Sequence, residues 1–390
     1  MTLDKGGAQA CCDVMRDLFI IPDATSYFDA AHMGLLPRSA LSAGNQALYV
    51  RAAPWSPSGA EETAEGLRAS FGRLVGSEGA NIALGSSTSY IMATATAMFP
   101  LSGRAFLHLE DEHPSGVMPW LRSAASCNAE VHRVPRPIDG DWTNAVLAHI
   151  QPRIGVACLP HCHWLDGSAL DLIAIGAALR AVGAVLVIDA TQSVGARPID
   201  VAAVRPALMA VSGYKWLLGP MGVAYAYVAP EHQAALPIES GFAQRDGSGG
   251  WFDTGMNVNY SLPWKQAARR FDAGGMYDPI KLALAHAGLT TVSAIGVDRI
   301  EKTLLDNSLQ LLAGHSRLKF LSGSVPSHIM SFRPALMDSA LRALDRHGVR
   351  LSRRGPYLRI SAHVWNDEED WNRLSEALNS LDPQSVDEVA

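Results

Sequence analysis

Cysteine is scarce in this chain: five residues in 390, Cys11, Cys12, Cys127, Cys158 and Cys162. The count is odd and no two have the Cys-x-x-Cys spacing, which argues against a disulfide framework and against a zinc site. Cys158 and Cys162 flank His161, with His163 beyond, but that spacing fits no common zinc pattern. Cys158 reads as a small apolar strand residue. Also missing is any run of about 18 uninterrupted apolar residues, so no membrane-spanning helix is expected. The N-terminus carries Asp4, Asp13 and Asp17 and lacks the apolar centre of a signal peptide. A cytoplasmic location is therefore expected. There is no basic block: 32 Lys and Arg stand against 38 Asp and Glu, a net charge of −6. The clustered positive surface that nucleic-acid binding needs is absent from the pattern. No internal repeat or low-complexity stretch is evident.

What remains is an ordinary globular composition, 48% hydrophobic and 18% charged. The length suffices for one large and one small domain. The most informative stretch runs from Val185 to Val228. A buried-strand run, Val185–Ile188, ends on Asp189. A second, Ala207–Val211, ends on Ser212-Gly213-Tyr214-Lys215. Apolar runs of this length, bounded by glycine and polar residues, suit strands of a parallel sheet covered on both faces. In open α/β sheets, ligands bind at the carboxyl ends of such strands. Asp189 and Lys215 should therefore face one crevice. One reading of an acid and an amine so placed is a partly buried ion pair. The other is a pyridoxal phosphate site, where a lysine forms a Schiff base and an aspartate pairs with the protonated pyridine nitrogen.

Strand and helix signals alternate upstream, as a parallel sheet requires. Strands are expected at Asn81–Leu84, Phe106–Leu109, Glu130–Val134 and Ile154–Leu159, and a return strand at Gly222–Val228. Helices are expected at Leu41–Val50, Glu61–Leu74, Ile91–Met98 and Leu170–Val182, with a short one possible around Cys11–Leu18. Leu282–Ala294 and Val297–Leu312 read as long helices broken at Gly296. Beyond them come strands at His328–Phe332 and Leu358–Ser361 and helices at Pro334–His347 and Glu368–Leu381. After the strand at 81–84 comes Gly85-Ser86-Ser87-Thr88, then a helix. A strand, a glycine turn and a helix N-terminus make an anion site; simple capping by Ser or Thr is the plainer alternative.

Asp189-Ala190-Thr191-Gln192, followed by Ser212-Gly213-Tyr214-Lys215-Trp216 and Gly219-Pro220, resembles the class V aminotransferase family of fold-type I pyridoxal phosphate (PLP) enzymes. That family includes cysteine desulfurases, selenocysteine lyases, kynureninases and isopenicillin-N-epimerase-like proteins. The resemblance runs from about Tyr27 to Leu378. It implies an α/β fold: a large domain, 26–295, with a mostly parallel sheet flanked by helices, and a small α+β C-terminal domain, 296–390. An N-terminal arm, 1–25, would precede them, with the N-terminal segment packing near the small domain.

The resemblance also implies roles. Lys215, Asp189 and His113 would be catalytic, His113 stacking on the pyridine ring. Ser87, Thr88, Ser212, Tyr214 and Gln192 would complete the cofactor site. Arg359, in an Arg-x-Ser element with Asn366 downstream, would hold the substrate α-carboxylate in two parallel hydrogen bonds. Arg269-Arg270-Phe271-Asp272-Ala273-Gly274 resembles another family element. Many relatives place an asparagine near Trp164 that touches the cofactor hydroxyl; its absence leaves Gln192 as the best partner. His32 contacts substrate or is a satisfied structural histidine, and Trp164 shapes the pocket or simply packs. Trp251 and Arg354 are further candidates for the pocket wall. The glycine-rich Gly241–Tyr260 corresponds to a region that approaches the partner subunit's cofactor, so a homodimer with shared active sites is expected.

The implied substrate is an amino acid. Cysteine desulfurases carry a nucleophilic cysteine before the carboxylate-binding arginine, and Gly348–Arg359 reads GVRLSRRGPYLR, with none. Formation of an enzyme persulfide there is not expected. The favoured expectation is a β-elimination C–S lyase on a cysteine-derived substrate; the alternatives are an aminotransferase or an epimerase-like or decarboxylating enzyme.

Overall fold

Short apolar runs become the strands of one central sheet, and the polar-faced segments between them become its covering helices. The structure, a computed structural model, describes residues 15–247, 260–322 and 325–381. In chain order it comprises β1 (Ser26–Tyr27), α1 (Arg38–Ala52), α2 (Ala60–Leu74), β2 (Ile82–Gly85), α3 (Thr88–Met98), β3 (Ala105–Leu109), α4 (Pro114–Cys127), β4 (Val131–Val134) and α5 (Trp142–His149). There follow β5 (Ile154–Pro160), α6 (Leu172–Ala181), β6 (Val185–Asp189), α7 (Val201–Val204), β7 (Leu208–Ser212), β8 (Ala224–Val228), α8 (Pro279–Ile295) and α9 (Val297–Gly314). The chain closes with β9 (Met330–Phe332), α10 (Met337–Arg346), β10 (Val349–Arg350), β11 (Ser352–Arg354), β12 (Tyr357–Ile360) and α11 (Glu368–Asn379).

The main sheet has the order β2-β8-β7-β6-β5-β3-β4. Strands β4, β3, β5, β6 and β7 run parallel; β8 is antiparallel to both β7 and β2. Every residue of β5 and β7 is buried, whereas edge strand β4 buries only Val134. That contrast is what a sheet covered on both faces produces. One apolar layer packs Leu67 and Phe71 of α2 and Leu282 and Leu289 of α8 against Ile188 and Met209. The opposite layer packs Ile91 and Met92 of α3 and Trp120 of α4 against Val187 and Ala210. The chain leaves β3 for β4 on one side and returns for β5 on the other, so a crevice opens outside the carboxyl ends of β3 and β5.

A second sheet, β11-β12-β9, is antiparallel throughout. The N-terminal segment lies against it: β1 pairs with β10 in parallel, and Ser361 N–H donates to the Phe28 carbonyl at 2.8 Å. A third apolar cluster joins Phe28, Trp216, Val292, Leu358 and Trp365, so the small sheet and the strand end bearing Lys215 share a core. Among the described residues, no single helix is long and apolar enough to cross a membrane.

The alternation of strand and helix follows the expected order. The expectations left out α5, α7, β1, β10 and β11. Residues 11–14 of the expected N-terminal helix, and Trp251 with most of the glycine-rich loop, lie outside the described residues.

Candidate active site

Asp189 is the last residue of β6, and Lys215 stands three residues past the end of β7. The segment after β1 presses against this strand end. Gly34 N–H donates to the Tyr214 carbonyl at 2.9 Å, and a Cβ at Gly34 would stand 2.0 Å from the Lys215 carbonyl oxygen. Only glycine permits that approach. Lys215 is 6% exposed. Desolvation pulls its amine down to about 8; Asp189 and Asp29 oppose this, and Arg359 and Arg354 add to it. Asp189 Oδ1 accepts the Thr191 N–H at 3.0 Å. Lys215 and Asp189 line one cavity, yet Lys215 makes no ion pair within 4 Å among the described residues. The ion-pair alternative is therefore not what this pair forms. The amine is buried, partly deprotonated near neutral pH and without an ion pair among the described residues; it lies over the Tyr214 ring, 5.6 Å from the centroid.

The N-terminus of α3 enters the same cavity. Ser87 caps it, its Oγ accepting the Tyr90 N–H at 3.1 Å. Thr88 Oγ1 lies 2.7 Å from Ser212 Oγ and 3.2 Å from Thr191 Oγ1. The first N–H groups of a helix have no partner within it, and Ser87, Thr88 and Ser89 all line the cavity. Capping by the Ser87 hydroxyl does not use up this helix N-terminus. Capping uses the Ser87 hydroxyl, while the open N–H groups and the Thr88–Ser212 hydroxyls face inward.

After β3, the chain bends through Glu112 to His113, the N-cap of α4. His113 Nδ1 accepts the Ser115 N–H at 3.3 Å, which leaves the proton on Nε2. Burial pulls His113 below the usual imidazole range; Asp189 opposes this, and the cations Lys215, Arg359 and Arg354 reinforce it. Its ring meets Trp164 edge-on at 5.7 Å. Trp164, two residues past Cys162, lines the cavity and donates its indole N–H to the Asp111 carbonyl at 2.6 Å. Trp164 therefore both packs and forms wall. Glu112 Oε1 accepts the His113 N–H at 2.6 Å, while Oε2 is buried with no partner. Burial pushes this carboxyl up to about 7.

Gln192 lines the cavity with its amide half engaged: Nε2 donates to the Ala31 carbonyl at 3.0 Å, and Oε1 accepts the Trp216 indole N–H at 2.9 Å. One amide N–H remains for a ligand. His32, beside Ala31, is exposed and does not line the cavity. The turn carries Ala31 inward and His32 out, so the substrate contact expected of His32 is not found here.

Arg359 on β12 is 1% exposed. Nη1 donates to the Trp164 carbonyl at 2.9 Å, and Nη2 stands 3.5 Å from Asp29 Oδ1. Nε and Nη2 have no hydrogen-bond partner among the described residues. Desolvation, with the neighbouring Arg354, pulls the guanidinium down to about 10. A buried cation with open donors, its ring-plane neighbour Trp164 6.0 Å away, is prepared for an anion.

The arrangement gathers Ser87, Thr88, His113, Trp164, Asp189, Gln192, Ser212, Tyr214 and Lys215 around one cavity; Arg359 does not line it but donates to the Trp164 carbonyl. Sequence reasoning passed over Ser89, Glu112, Ser115, Cys162 and Thr191. Glu112 was signalled only by its place before His113. The buried Glu112 Oε2, the open helix N-terminus, the amine without an ion pair and the carboxylate at the strand end fit an aromatic cofactor with a phosphate, a carbonyl and a ring nitrogen.

Residues 39–376 match the family model described as Aminotransferase class-V. The chain is 27% identical over 315 residues to a Bacillus subtilis (strain 168) protein named "Uncharacterized aminotransferase YcbU", covering 79% of this chain and 81% of that one. It is 26% identical over 334 residues to "Isopenicillin N epimerase" of Streptomyces clavuligerus, covering 80% of this chain and 83% of the relative. Among solved structures it superimposes on the cystine C–S lyase C-DES in complex with its product cysteine persulfide, with a TM-score of 0.79 at 22% identity. That match covers 92% of this chain and 98% of the other.

Proposed function

The chain belongs to the class V aminotransferases, PLP-dependent enzymes of fold type I, and on that premise we propose that it is a C–S lyase that eliminates sulfur from a cysteine-derived amino acid. When bound, PLP supplies an electrophilic carbonyl for the substrate amine and a sink for the electron pair left at Cα. The Thr88–Ser212 hydroxyls and the N-terminus of α3 would hold its phosphate, and Asp189 would keep a proton on its ring nitrogen. His113 would lie against the ring, and the free Gln192 N–H would meet its hydroxyl.

The other steps belong to this chain's side chains. Arg359 takes the substrate α-carboxylate on Nε and Nη2, two donors in one plane. That fixes which Cα substituent faces Lys215. The Lys215 amine removes the Cα proton. The Cβ–S bond then breaks, with the electron pair leaving on sulfur as thiolate. Hydrolysis of the released fragment gives a keto acid and ammonia.

The state of the cysteines carries the choice of lyase over desulfurase. Cys162 is the one described cysteine that lines the cavity; burial pushes its thiol up to about 11, so it stays protonated and a weak nucleophile. The hairpin β11–β12 has no cysteine. Sulfur therefore leaves with the product rather than on the protein. A second reading, amino-group transfer, is favoured by the Bacillus subtilis relative's name and uses the same first steps. A homodimer is expected under either.

The test incubates holoenzyme with S-substituted cysteines and assays thiol, keto acid and ammonia with and without a keto-acid acceptor. Thiol and ammonia release without the acceptor is expected. Strict dependence on the acceptor refutes the lyase and leaves the transaminase.

A further inference from the structure

The hairpin that presents Arg359 carries a second arginine with no task in the proposed reaction. In the β11–β12 register, Ser352 faces Arg359 and Arg354 faces Tyr357. Residues two apart on a strand share a face, so Ser352, Arg354, Tyr357 and Arg359 stand on one side of the hairpin. Arg354 and Arg359 are diagonal neighbours there, roughly 7–8 Å apart at the backbone. The direction of this face is fixed by two contacts: Ser352 Oγ donates to Asp29, and Arg359 reaches the Trp164 carbonyl. Arg353 points the other way and is exposed.

Arg354 is half-buried, and its Nη1 donates only to the Arg353 carbonyl, at 3.0 Å. It makes no ion pair within 4 Å among the described residues. Its charge reaches Lys215, His113 and Arg359, pushing each toward its neutral form. Two guanidinium groups side by side repel, and among the described residues only Arg359 has an ion-pair partner, Asp29. The α-carboxylate of a substrate supplies one negative charge and matches Arg359. Arg354 is left over.

We infer that Arg354 selects amino acids whose side chain ends in a second anionic group, held at the hairpin while Arg359 holds the α-carboxylate. The inference rests on the proposed use of Arg359 but not on the reaction that follows. Disulfide-linked and thioether amino acids with a distal carboxylate are of this class.

The probe is a pair of isosteric ligands, S-carboxymethyl-L-cysteine and its neutral amide, S-carbamoylmethyl-L-cysteine. Binding is read from the visible band of the bound coenzyme in the holoenzyme, so no turnover is needed. The acid should bind about tenfold or more tightly than the amide, the effect of one charge-assisted bond. Arg354→Gln should bring the ratio close to one, and Arg354→Lys should keep part of it. In the unmodified protein, raising the ionic strength should narrow the preference, which decides the matter even if the variants fail to fold. Equal binding of the two ligands, a preference that survives Arg354→Gln, or one indifferent to salt overturns the inference. If neither ligand moves the band, the role given to Arg359 falls and this inference with it. Preferential binding of the acid without thiol release leaves Arg354 standing and refutes the lyase. Thiol release from both ligands with equal affinity does the reverse.

Discussion

Two arginines are almost fully buried in this molecule, and they are opposites. Arg68 on α2 is 0% exposed and Arg359 on β12 is 1% exposed. Every nitrogen of Arg68 is used: Nη1 donates to the Ile82 carbonyl at 2.5 Å, Nη2 to Asp272 and to Tyr277 Oη, and Nε to Glu65 at 3.1 Å. Desolvation alone would lower its pKa, but the charge and hydrogen bond of Asp272, together with Tyr277 and Glu65, more than offset this and hold it above the usual arginine value. Asp272 also accepts the Leu84 N–H at 2.8 Å, fixing the end of β2 just before the anion turn. Around Arg359 desolvation wins, and two of three nitrogens are open. A buried charge with a full set of partners is structure; one with open donors is a binding site in waiting.

The largest effect should come from breaking the first. Arg68→Ala leaves Asp272 buried without its counter-charge and should cost about 3–5 kcal/mol of stability, read as a lower urea midpoint. The paired replacement Arg68→Met with Asp272→Leu should recover most of this, because two apolar groups leave no orphaned charge. If the single variant unfolds no more readily than the unmodified protein, the structural reading of this pair is wrong. Arg359→Gln should behave in the opposite way. Its stability should change little, while affinity for an amino acid should fall roughly 100-fold, two charged hydrogen bonds being lost. A stability loss matching that of Arg68→Ala would erase the distinction between the two sites.

Sequence patterns went far toward one of these regions and less far toward the other. Lys215 and Asp189 were legible because each closes an apolar run, and a parallel sheet puts such ends together. Arg359 was legible as a charge inside an apolar strand. The partners of Arg68 were not, since Glu65, Asp272 and Tyr277 come from segments whose meeting no local pattern encodes. Strands β10 and β11 are two and three residues long and rich in arginine, below any periodic signal. His32 was left with two readings because a turn decides which of two successive residues faces in, and no strand or helix period governs it. Glu112 was missed because its burial depends on the packing of the loop after β5 over the loop after β3.

The field of Arg359 offers a finer test. The Lys215 amine should capture the coenzyme only when unprotonated. In the coenzyme-free protein, the rate at which the visible band grows should rise about tenfold per pH unit below pH 8 and level off above it. Asp189 raises this pKa and Arg359 lowers it, so Asp189→Asn should move the midpoint down and Arg359→Gln should move it up. Arg68→Met with Asp272→Leu should leave it in place. A midpoint that stays fixed in both cavity variants would mean that these charges do not act on the amine.

Glu112 offers the closest analogue of Arg359, a carboxylate with one oxygen engaged and the other buried without a hydrogen-bond partner among the described residues. Burial raises its carboxyl to about 7, with Asp189 and Asp166 adding to this and His163 and the His113 N–H opposing it. The folded chain therefore holds a proton that the unfolded chain releases above about 4.5. Stability must fall as pH rises from about 4.5 to 7, and the cost is complete above that window. Glutamine keeps the oxygen that accepts the His113 N–H and cannot ionise. Glu112→Gln in the coenzyme-free protein should thus be stabilising by up to about 3 kcal/mol at pH 8 and nearly neutral at pH 4. Urea denaturation at the two pH values measures the difference. An equal shift at both would mean that the open oxygen is solvated, and that Glu112, unlike Arg359, is not held in wait for a ligand.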